Sequence, residues 1–419
     1  MNSQRIAFDN GRGQKLAARL DFPVDGTPVA WALFAHCFTC SKNLRAVGNI
    51  SAALNRERIG VLRFDFTGLG ESEGDFADTN FGSNVEDLVA AADYLTKTYG
   101  GPEILIGHSL GGAAVLQSAG RMKSVKAVAT IGAPYNPDHV THLLKSSLDE
   151  IEKRGEAEVE LAGRKFTIRK QFLDDLDQTK MDQQIAGLNR ALLILHGPLD
   201  ETVGIENAAS IFHAAKHPKS FVSLDTADHL LMKEEDSVYA GSLIASWARR
   251  YLDVPEEIAR IEANPADNRV VVQTGSSGYR TEILANGHSL IADEPLSVGG
   301  GNTGPTPYDY LVSSLGACTS MTLRMYADHK KWPLEAVIVR LKHEKVHKND
   351  CEAGVEGGKI DQIEREIELV GELDEEQRKR LIQIADRCPV HRTLHGEIVV
   401  KTTEFVEKSK VKRQNSKGG

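Results

Sequence analysis

Residues 29–252 alternate short apolar segments with longer amphipathic ones, and this alternation limits the folds open to the chain. The apolar segments have the length of strands, and the segments between them have the apolar spacing of helices. Strands that alternate with helices predict a mostly parallel sheet with helices on its faces. The predicted strands are 29–36, 60–66, 103–107, 127–131, 191–195 and 221–224, and the predicted helices are 43–55, 83–99, 110–121, 205–215 and 237–252.

A highly charged insertion at 136–187 interrupts this alternation. Its middle part, at 156–169, has the pattern of a hairpin. Loops longer than about 15 residues are usually functional or carry secondary structure of their own. The insertion is therefore predicted to be a cap over a site.

The alternation ends at 253–268, an acidic segment with two prolines that predicts a linker. The residues after it predict strands grouped apart from helices, which is typical of an α+β domain. The predicted elements are strands at 269–273 and 280–293, a glycine-rich loop at 299–307, a helix at 308–329, strands at 334–347 and 359–370, a helix at 375–386 and a last strand at 396–403. The chain then divides into a domain at 1–252, the linker, a domain at 269–405 and a basic tail at 406–419.

The charge and the cysteine content of the chain exclude several classes of protein. With 59 acidic against 50 basic residues, the net charge of -9 argues against nucleic acid or an anionic membrane surface as the main partner. No apolar stretch is long enough to span a bilayer, and residues 1–20 contain no secretory signal. Five cysteines in 419 residues cannot form the disulfide scaffold of a small secreted protein. These features predict a cytoplasmic protein.

The segment Gly107-His108-Ser109-Leu110-Gly111 lies between a predicted strand and a predicted helix. Glycines two residues on either side of Ser109 allow the tight turn of a nucleophile elbow. The N–H groups at the start of the helix can stabilise a developing oxyanion. The alternative is a glycine-rich turn without a catalytic role.

A nucleophile elbow needs an acid and a histidine later in the chain. Asp200 follows the predicted strand 191–195, and His229 follows the predicted strand 221–224. In this arrangement His229 takes the proton of Ser109, and Asp200 fixes the tautomer of His229 and stabilises the imidazolium. For His229 alone, the alternative is a surface position without function.

Residues 1–252 resemble the α/β-hydrolase superfamily, close to its serine aminopeptidase and esterase-like branch. The resemblance rests on the elbow, on FDFTGLGESEG at 64–74 and on HCFTCSKN at 36–43. It implies an α/β-hydrolase fold with a cap, a small ester, thioester or amide as substrate, and no cofactor. It also implies that the backbone N–H groups of Phe38 and Leu110 form the oxyanion hole.

Cys37 stands where that family usually has glycine, and together with Cys40 it forms a C-x-x-C motif. Such a motif can support redox or metal chemistry. The first half of the chain has no second cysteine pair and no thioredoxin-like context, and both observations argue against that role.

Two further cysteines, Cys318 and Cys388, lie in the second half of the chain. Small residues flank Cys318 on the predicted long helix. Cys388 precedes Pro389 at a predicted helix start, where the N–H dipoles lower the pKa of a thiol. Burial in the core is the alternative for each of them, because free cysteine is among the most buried residue types.

Residues from about 269 to 405 resemble the OsmC/Ohr-like family of thiol-dependent peroxidases. The matching segments are 292–295, 304–307, LGACTSMTL around Cys318 and CPVH around Cys388. The resemblance implies that Cys318 attacks an organic hydroperoxide and that Cys388 resolves the sulfenic acid as a disulfide, which an external dithiol reduces. It also implies a homodimer formed through this domain.

That family usually activates its thiolate with an arginine and a carboxylate. The approximate counterparts here are Arg280 and Asp309, since Tyr308 stands where Ohr-type sequences have glutamate. Two interpretations of the second half remain: an active peroxidase, or a domain that only dimerises or binds a ligand. As a whole, the chain resembles a bifunctional fusion of an α/β-hydrolase with an OsmC-like domain.

His343, His347, Asp350 and Cys351 have a spacing that could hold zinc. On a strand, however, His343 and His347 lie far apart along the chain, which favours a charged strand edge. No metal site is predicted.

Overall fold

The computed structural model describes residues 2–37, 40–161, 164–178, 180–252, 269–276, 278–347 and 359–404. The chain forms two compact units, one of residues 1–277 with 281–291 and the other of residues 278–280 with 292–419. The predicted linker at 253–268 and the tail at 406–419 lie outside the described residues, so the predicted domain boundaries stay predictions.

The centre of the first unit is an eight-stranded sheet in the order β1-β2-β4-β3-β5-β6-β9-β10, and β7 and β8 form a separate hairpin. The pairs from β4 to β10 are parallel, and the pairs that β2 makes with β1 and β4 are antiparallel. The prediction of a mostly parallel sheet is confirmed. The strands are β1 Asn2–Asp9, β2 Lys15–Phe22, β3 Ala30–Ala35, β4 Ile59–Phe64, β5 Ile104–His108, β6 Ala127–Ile131, β7 Glu156–Leu161, β8 Arg164–Arg169, β9 Ala191–His196 and β10 Lys219–Ser223.

Helices cover both faces of this sheet. Leu33 and Leu105 belong to the apolar cluster that includes α2 and α3, whereas Phe34 and Ile106 belong to the cluster that includes α1 and α8. Parallel strands buried on both faces are apolar along their whole length, which explains the continuous apolar segments of the sequence. The helices are α1 Arg45–Arg56, α2 Phe81–Tyr99, α3 Leu110–Ser118, α4 Leu148–Arg154, α5 Lys170–Gln178, α6 Met181–Ala186, α7 Glu206–Ala214 and α8 Glu234–Ala248.

The insertion at 136–187 has secondary structure of its own. It contains a 3₁₀ segment at Pro137–Leu144, the helices α4, α5 and α6, and the predicted hairpin, which is confirmed as β7 and β8. Its side chains Phe166 and Phe172 are buried in the same cluster as α2 and α3, and the ring of Phe166 lies 5.0 Å from that of Phe76. The insertion is therefore packed onto the core of the first unit.

The second half contains separate sheets and helices, as predicted for an α+β domain. Strands β11, β12 and β13, most of whose residues belong to the first unit, form one sheet. Strands β14 and β15 form an antiparallel pair. Leu323 and Ala327 of α9 share an apolar cluster with Leu369 of β15 and Leu381 of α10. The elements are β11 Val271–Thr274, β12 Thr281–Ala285, β13 His288–Ala292, α9 Pro307–Lys330, β14 Leu334–His347, β15 Lys359–Gly371, α10 Glu375–Ala385 and α11 Pro389–Leu394.

The predicted last strand at 396–403 is wrong, because these residues have no regular secondary structure. Ile398, Val399 and Val400 are 57%, 73% and 81% exposed, and no described strand pairs with them. A strand needs a neighbour that pairs its N–H and C=O groups, so an apolar pattern alone does not form one.

None of the helices in the described ranges combines the length and the apolar character needed to cross a bilayer.

Candidate active site

Ser109 lies in the turn between β5 and α3, at the carboxyl end of a parallel strand. Its φ of 56° and ψ of -127° fall in a region that residues other than glycine rarely adopt. A Cβ on Gly107 would lie 2.3 Å from the carbonyl oxygen of Gly111, and a Cβ on Gly111 would lie 2.4 Å from that of Ala35. The two glycines therefore permit the turn and let it pack against the end of β3.

The structure brings Ser109, His229 and Asp200 together from three loops at the carboxyl ends of β5, β10 and β9. Nε2 of His229 lies 3.0 Å from Oγ of Ser109, and Nδ1 of His229 lies 2.7 Å from Oδ2 of Asp200. A carboxylate only accepts, so Nδ1 carries the proton and Nε2 is free to accept the proton of Ser109.

Asp200 is held in the ionised form by its surroundings. Burial opposes ionisation, but the hydrogen bonds from His229, Val203 and Thr202 outweigh it and place the pKa of Asp200 below its ordinary value. The N–H groups of Thr202 and Val203 donate to Oδ1 at 2.9 and 2.8 Å, so Oδ2 remains for His229.

His108 and His196 are buried beside these residues, and the sequence did not indicate a role for either of them. Nε2 of His108 lies 2.6 Å from the carbonyl oxygen of His229, and Nε2 of His196 lies 2.7 Å from that of Val203. Both nitrogens donate, because a carbonyl oxygen only accepts. Burial lowers the pKa of both histidines, that of His108 to about 3, so both are neutral. Their places at the ends of β5 and β9 are the only sequence signal that could have identified them.

The predicted oxyanion-hole residues are Leu110 and Phe38. Leu110 is the first residue of α3 and is buried directly after Ser109. Phe38 lies outside the described residues, so its role stays a prediction. Cys37 and Cys40, which flank residues 38–39, are joined by a disulfide, and the N–H of Cys40 donates to the carbonyl oxygen of Cys37 at 3.2 Å.

Buried polar groups hold both ends of the segment that contains this disulfide. Nδ1 of His36 donates to the carbonyl oxygen of Cys37 at 2.7 Å, and burial lowers the pKa of His36. The ammonium group of Lys42, which is 1% exposed, lies 2.5 Å from Oδ2 of Asp65 and 2.6 Å from Oε2 of Glu71. Its backbone N–H donates to Oδ1 of Asp65 at 2.6 Å.

In the second unit, Cys388 is buried at the N-cap of α11, and Cys318 is partly exposed on α9. Both are free thiols. The N–H of His391 donates to Sγ of Cys388 at 3.3 Å, and Oγ1 of Thr319 lies 3.6 Å from the same sulfur. Thr319 directly follows Cys318 on α9. The buried thiol of Cys388 therefore contacts the neighbour of the partly exposed Cys318.

The predicted role of Asp309 and Arg280 in activating the thiolate stays a prediction. The carboxylate of Asp309 accepts from the N–H and the hydroxyl of Thr306, both at 2.8 Å, and thereby caps α9. Nη2 of Arg280 is buried without a hydrogen-bond partner in the described part of the chain.

Arg365 of β15 lies close to the buried thiol, and the sequence did not indicate it. Its Nη1 donates to Oγ1 of Thr319 at 3.1 Å, and its Nη2 pairs with Asp386 at 2.6 Å. Thr319 thus contacts both Arg365 and Cys388. No local motif marks this arginine, because Thr319 is 46 positions away along the chain.

The histidine cluster of the second half has no metal-binding geometry among the residues that can be described. Nε2 of His343 lies 2.9 Å from Oδ1 of Asp361, and its ring stacks on Tyr308 with the centroids 4.1 Å apart. Asp350 and Cys351 lie outside the described residues. Across the described ranges, no group of three or more His, Cys, Asp or Glu residues is placed to hold a metal ion.

Comparison with known proteins assigns both halves. The model of an alpha/beta hydrolase family matches residues 31–298, and that of OsmC-like protein matches residues 299–403. The esterase domain of a Rhodothermus marinus protein is 54% identical, covering 60% of this chain and 99% of that domain with a TM-score of 0.50.

Curated relatives match a shorter part of the chain. The mitochondrial palmitoyl-protein thioesterase ABHD10 of Mus musculus is 27% identical over 185 residues, which are 42% of this chain and 61% of that protein. The Homo sapiens protein of the same name is 27% identical over 153 residues, which are 34% of this chain and 47% of that protein. The chain thus spans less than two thirds of the length of these relatives. It belongs to the alpha/beta hydrolase family and joins a hydrolase domain of that family to an OsmC-like domain.

Proposed function

We propose that the first unit is a serine hydrolase that cleaves an ester, thioester or amide bond of a small molecule. Ser109 is the nucleophile, His229 the general base, and Asp200 the residue that orients His229. The hydrogen-bonded series from Oγ of Ser109 through His229 to Asp200, at a strained turn after a parallel strand, supports this proposal most strongly.

The proposed reaction follows from these contacts. Nε2 of His229 accepts the proton of Ser109 as Oγ attacks the carbonyl carbon of the substrate. The N–H groups of Leu110 and Phe38 donate to the oxyanion of the tetrahedral intermediate. His229 then protonates the leaving alcohol, thiol or amine, and a water molecule activated by His229 releases the acid from Ser109.

An ester is the first substrate class to test. The identity of 54% to an esterase domain, over nearly all of that domain, supports ester cleavage. The weaker match to a palmitoyl-protein thioesterase supports a thioester as the second class. In both classes the acyl group is transferred to Ser109, so one labelling experiment tests both.

Ser109→Ala tests the proposal, because alanine has no nucleophile for His229 to activate. We expect the rate of p-nitrophenyl ester hydrolysis to fall by about 10⁴-fold or more, and fluorophosphonate labelling to disappear. Ser242→Ala, which removes an exposed hydroxyl on α8, is the matched control. It should keep the wild-type hydrolysis rate and the fluorophosphonate labelling. Hydrolysis at the wild-type rate in Ser109→Ala would contradict the proposal.

For the second unit we propose a two-cysteine peroxidase that reduces organic hydroperoxides. The Cys318 thiolate attacks the hydroperoxide, which leaves a sulfenic acid on Cys318 and releases an alcohol. The Cys388 thiol then attacks this sulfur, forming a disulfide and releasing water, and an external dithiol reduces the disulfide. The OsmC-like match and the contact of Cys388 with Thr319, the neighbour of Cys318, support this proposal.

The competing function is a domain that only dimerises or binds a ligand. Cys318→Ser should abolish cumene hydroperoxide consumption, and Cys388→Ser should leave a sulfenic acid on Cys318 that dimedone traps. Trapping on Cys388 instead would reverse the two roles. The absence of peroxide-dependent labelling on both cysteines would favour the competing function.

We also propose that the protein is a cytoplasmic homodimer joined through its second unit. Met321 and Met325 of α9 are 65% and 71% exposed, on the same side of the helix as Cys318. Exposed apolar residues at helical spacing are typical of a surface that a partner covers. The cytoplasm would also supply the external dithiol.

A further inference from the structure

We propose that Cys37 and Cys40 are a reversible redox site that controls the hydrolase, active as the disulfide and weakened when a dithiol reduces it. This inference rests on the proposed role of Ser109. The substrate of the redox site is a small dithiol or a dithiol protein. The disulfide is distinct from the thiols of the OsmC-like domain and lies in the hydrolase domain itself.

The pair lies on a segment that contacts the nucleophile turn. A Cβ on Gly111 would lie 2.4 Å from the carbonyl oxygen of Ala35 and 2.5 Å from that of His36. Gly111 is two residues after Ser109, so the backbone that leads into Cys37 touches the turn. A change at Cys37 is therefore next to the group that carries the reaction.

The disulfide and two hydrogen bonds together restrain the backbone carbonyl group of Cys37. The carbonyl oxygen of Cys37 accepts from Nδ1 of His36 at 2.7 Å and from the N–H of Cys40 at 3.2 Å. The disulfide covalently joins Cys37 and Cys40, the same two residues that the backbone hydrogen bond connects. The next residue along the chain is Phe38, whose N–H is predicted to donate to the oxyanion.

Reduction would remove one restraint on the backbone of Cys37, while the residues on either side of the cysteine pair would keep their contacts. On one side, β3 is buried in the sheet. On the other side, Lys42 is anchored by its backbone N–H and its ammonium group to Asp65, and by its ammonium group to Glu71. The effect of reduction is thus confined to the short stretch between His36 and Lys42, as a reversible control requires.

The exposure of the two cysteines sets the order of the exchange. Cys37 is 4% exposed, whereas Cys40 is partly exposed. A thiolate of the dithiol attacks Sγ of Cys40, forming a mixed disulfide and displacing Cys37 as a thiolate that takes up a proton. The second thiol of the dithiol then attacks its partner sulfur and releases Cys40. Two electrons and two protons pass to the pair, and the dithiol becomes a disulfide.

The expected effect is on kcat more than on KM, because the oxyanion donor acts on charge that develops in the transition state. Complete loss of one such donor costs about 10²–10³ in kcat. A donor that is loosened but still present should cost less. We expect kcat to fall by about tenfold on reduction and to return on reoxidation with oxidised glutathione.

The experiment uses the full chain and p-nitrophenyl acetate. Samples are equilibrated with increasing dithiothreitol, and one part is alkylated for mass spectrometry while kcat and KM are measured on the other. Loss of kcat should follow alkylation of Cys37 and Cys40. Cys37→Ser/Cys40→Ser should have the low kcat of the reduced enzyme and no response to dithiothreitol. Cys40→Ser alone serves the same purpose if the double variant does not fold.

The thiols of the other unit need a control of their own. In Cys318→Ser/Cys388→Ser, the response of ester hydrolysis to dithiothreitol should persist. Loss of the response in that variant would overturn the inference, as would an unchanged kcat when alkylation shows full reduction. Failure to recover the disulfide after oxidation would overturn it too. These outcomes differ from failure of the proposed function, in which Ser109→Ala itself would keep the wild-type hydrolysis rate.

Discussion

The buried neutral histidines His108 and His196 hold the backbone of the loops that contain His229 and Asp200. The ring of His108 donates to the carbonyl oxygen of His229, the residue proposed to take the serine proton. The two rings also lie 5.0 Å apart. Because the pKa of His108 is lowered to about 3 by burial, the ring keeps one proton and one fixed donor throughout the neutral range. We therefore regard His108 as a positioning residue.

Replacement of His108 tests this role. His108→Leu removes the donor and should lower kcat by about tenfold or more, since misplacement of a reacting group by about 1 Å can cost 10²-fold. His108→Gln keeps an N–H of similar reach and should recover most of kcat. The measurement is kcat and KM for ester hydrolysis together with the melting temperature. Equal kcat for both variants would contradict a positioning role.

The residues that carry a local motif could be predicted from the sequence, and those defined by a distant contact could not. Ser109 is marked by its glycines, and the chain order of an elbow leads from it to the acid and the histidine. Arg365 reaches Thr319 of α9 from β15, 46 positions along the chain, so no local motif marks it. The capping contact of Asp309 could also have been predicted, because Thr306-x-x-Asp309 has the spacing of a capping box.

At the scale of elements, the turn from β5 into α3 has no room for a side chain at Gly111. A Cβ there would meet backbone carbonyl oxygens of Ala35 and His36, which cannot rotate away. Gly111→Ala should therefore lower both the melting temperature and the rate of ester hydrolysis. Gly48→Ala is the matched control, since a Cβ at Gly48 in α1 meets nothing within 4 Å. It should stabilise the protein by up to about 1 kcal/mol. A wild-type melting temperature and rate for Gly111→Ala would show that the turn can adapt.

The sequence predicts buried strands better than edge strands. Strands such as β6 and β9 are buried along their whole length and appear as continuous apolar segments. In β2, buried residues mostly alternate with partly exposed ones. β1 lies at the edge of the sheet. Neither strand is therefore a continuous apolar segment, and neither was predicted. The error at 396–403 is the reverse: the apolar pattern predicts a strand, but none of the described strands pairs with this segment.

At the scale of the whole molecule, the exposed methionines of α9 predict self-association. We expect light scattering at micromolar concentration to give twice the mass of the 45.8 kDa chain. Met325→Glu places a charge on the proposed interface and should shift the protein towards the monomer. Met232→Glu is the matched control in the other unit, at 63% exposure, and should stay dimeric. A wild-type mass of 45.8 kDa would contradict the proposed dimer.

The buried histidines also predict how stability depends on pH. His36, His108 and His196 have folded-state pKa values below the ordinary 6.5, each because of burial. Below pH 6.5 the unfolded chain binds protons that the folded chain does not, so the free energy of unfolding falls as the pH falls. For His108 this continues to about pH 3, with a slope of up to about 1.4 kcal/mol per pH unit.

Denaturant unfolding followed by circular dichroism between pH 7 and pH 4 measures this dependence. His108→Gln has no group that titrates in that range, so its unfolding free energy should fall less steeply than that of the wild type. Parallel curves for the two proteins would contradict the assignment of His108 as a neutral buried residue.

The packing of α1 against α8 sets a time order for synthesis on the ribosome. The two helices share an apolar cluster that includes Ile50 and Ile244, and Asn49 donates to Ser237 at 2.8 Å. A nascent chain that has reached Ser109 contains neither Asp200 nor His229, and the apolar side of α1 is still uncovered. Translation must continue through Glu234–Ala248 before that side is buried. A ribosome that stalls earlier therefore leaves a fragment in which this apolar side is open to chaperones and proteases.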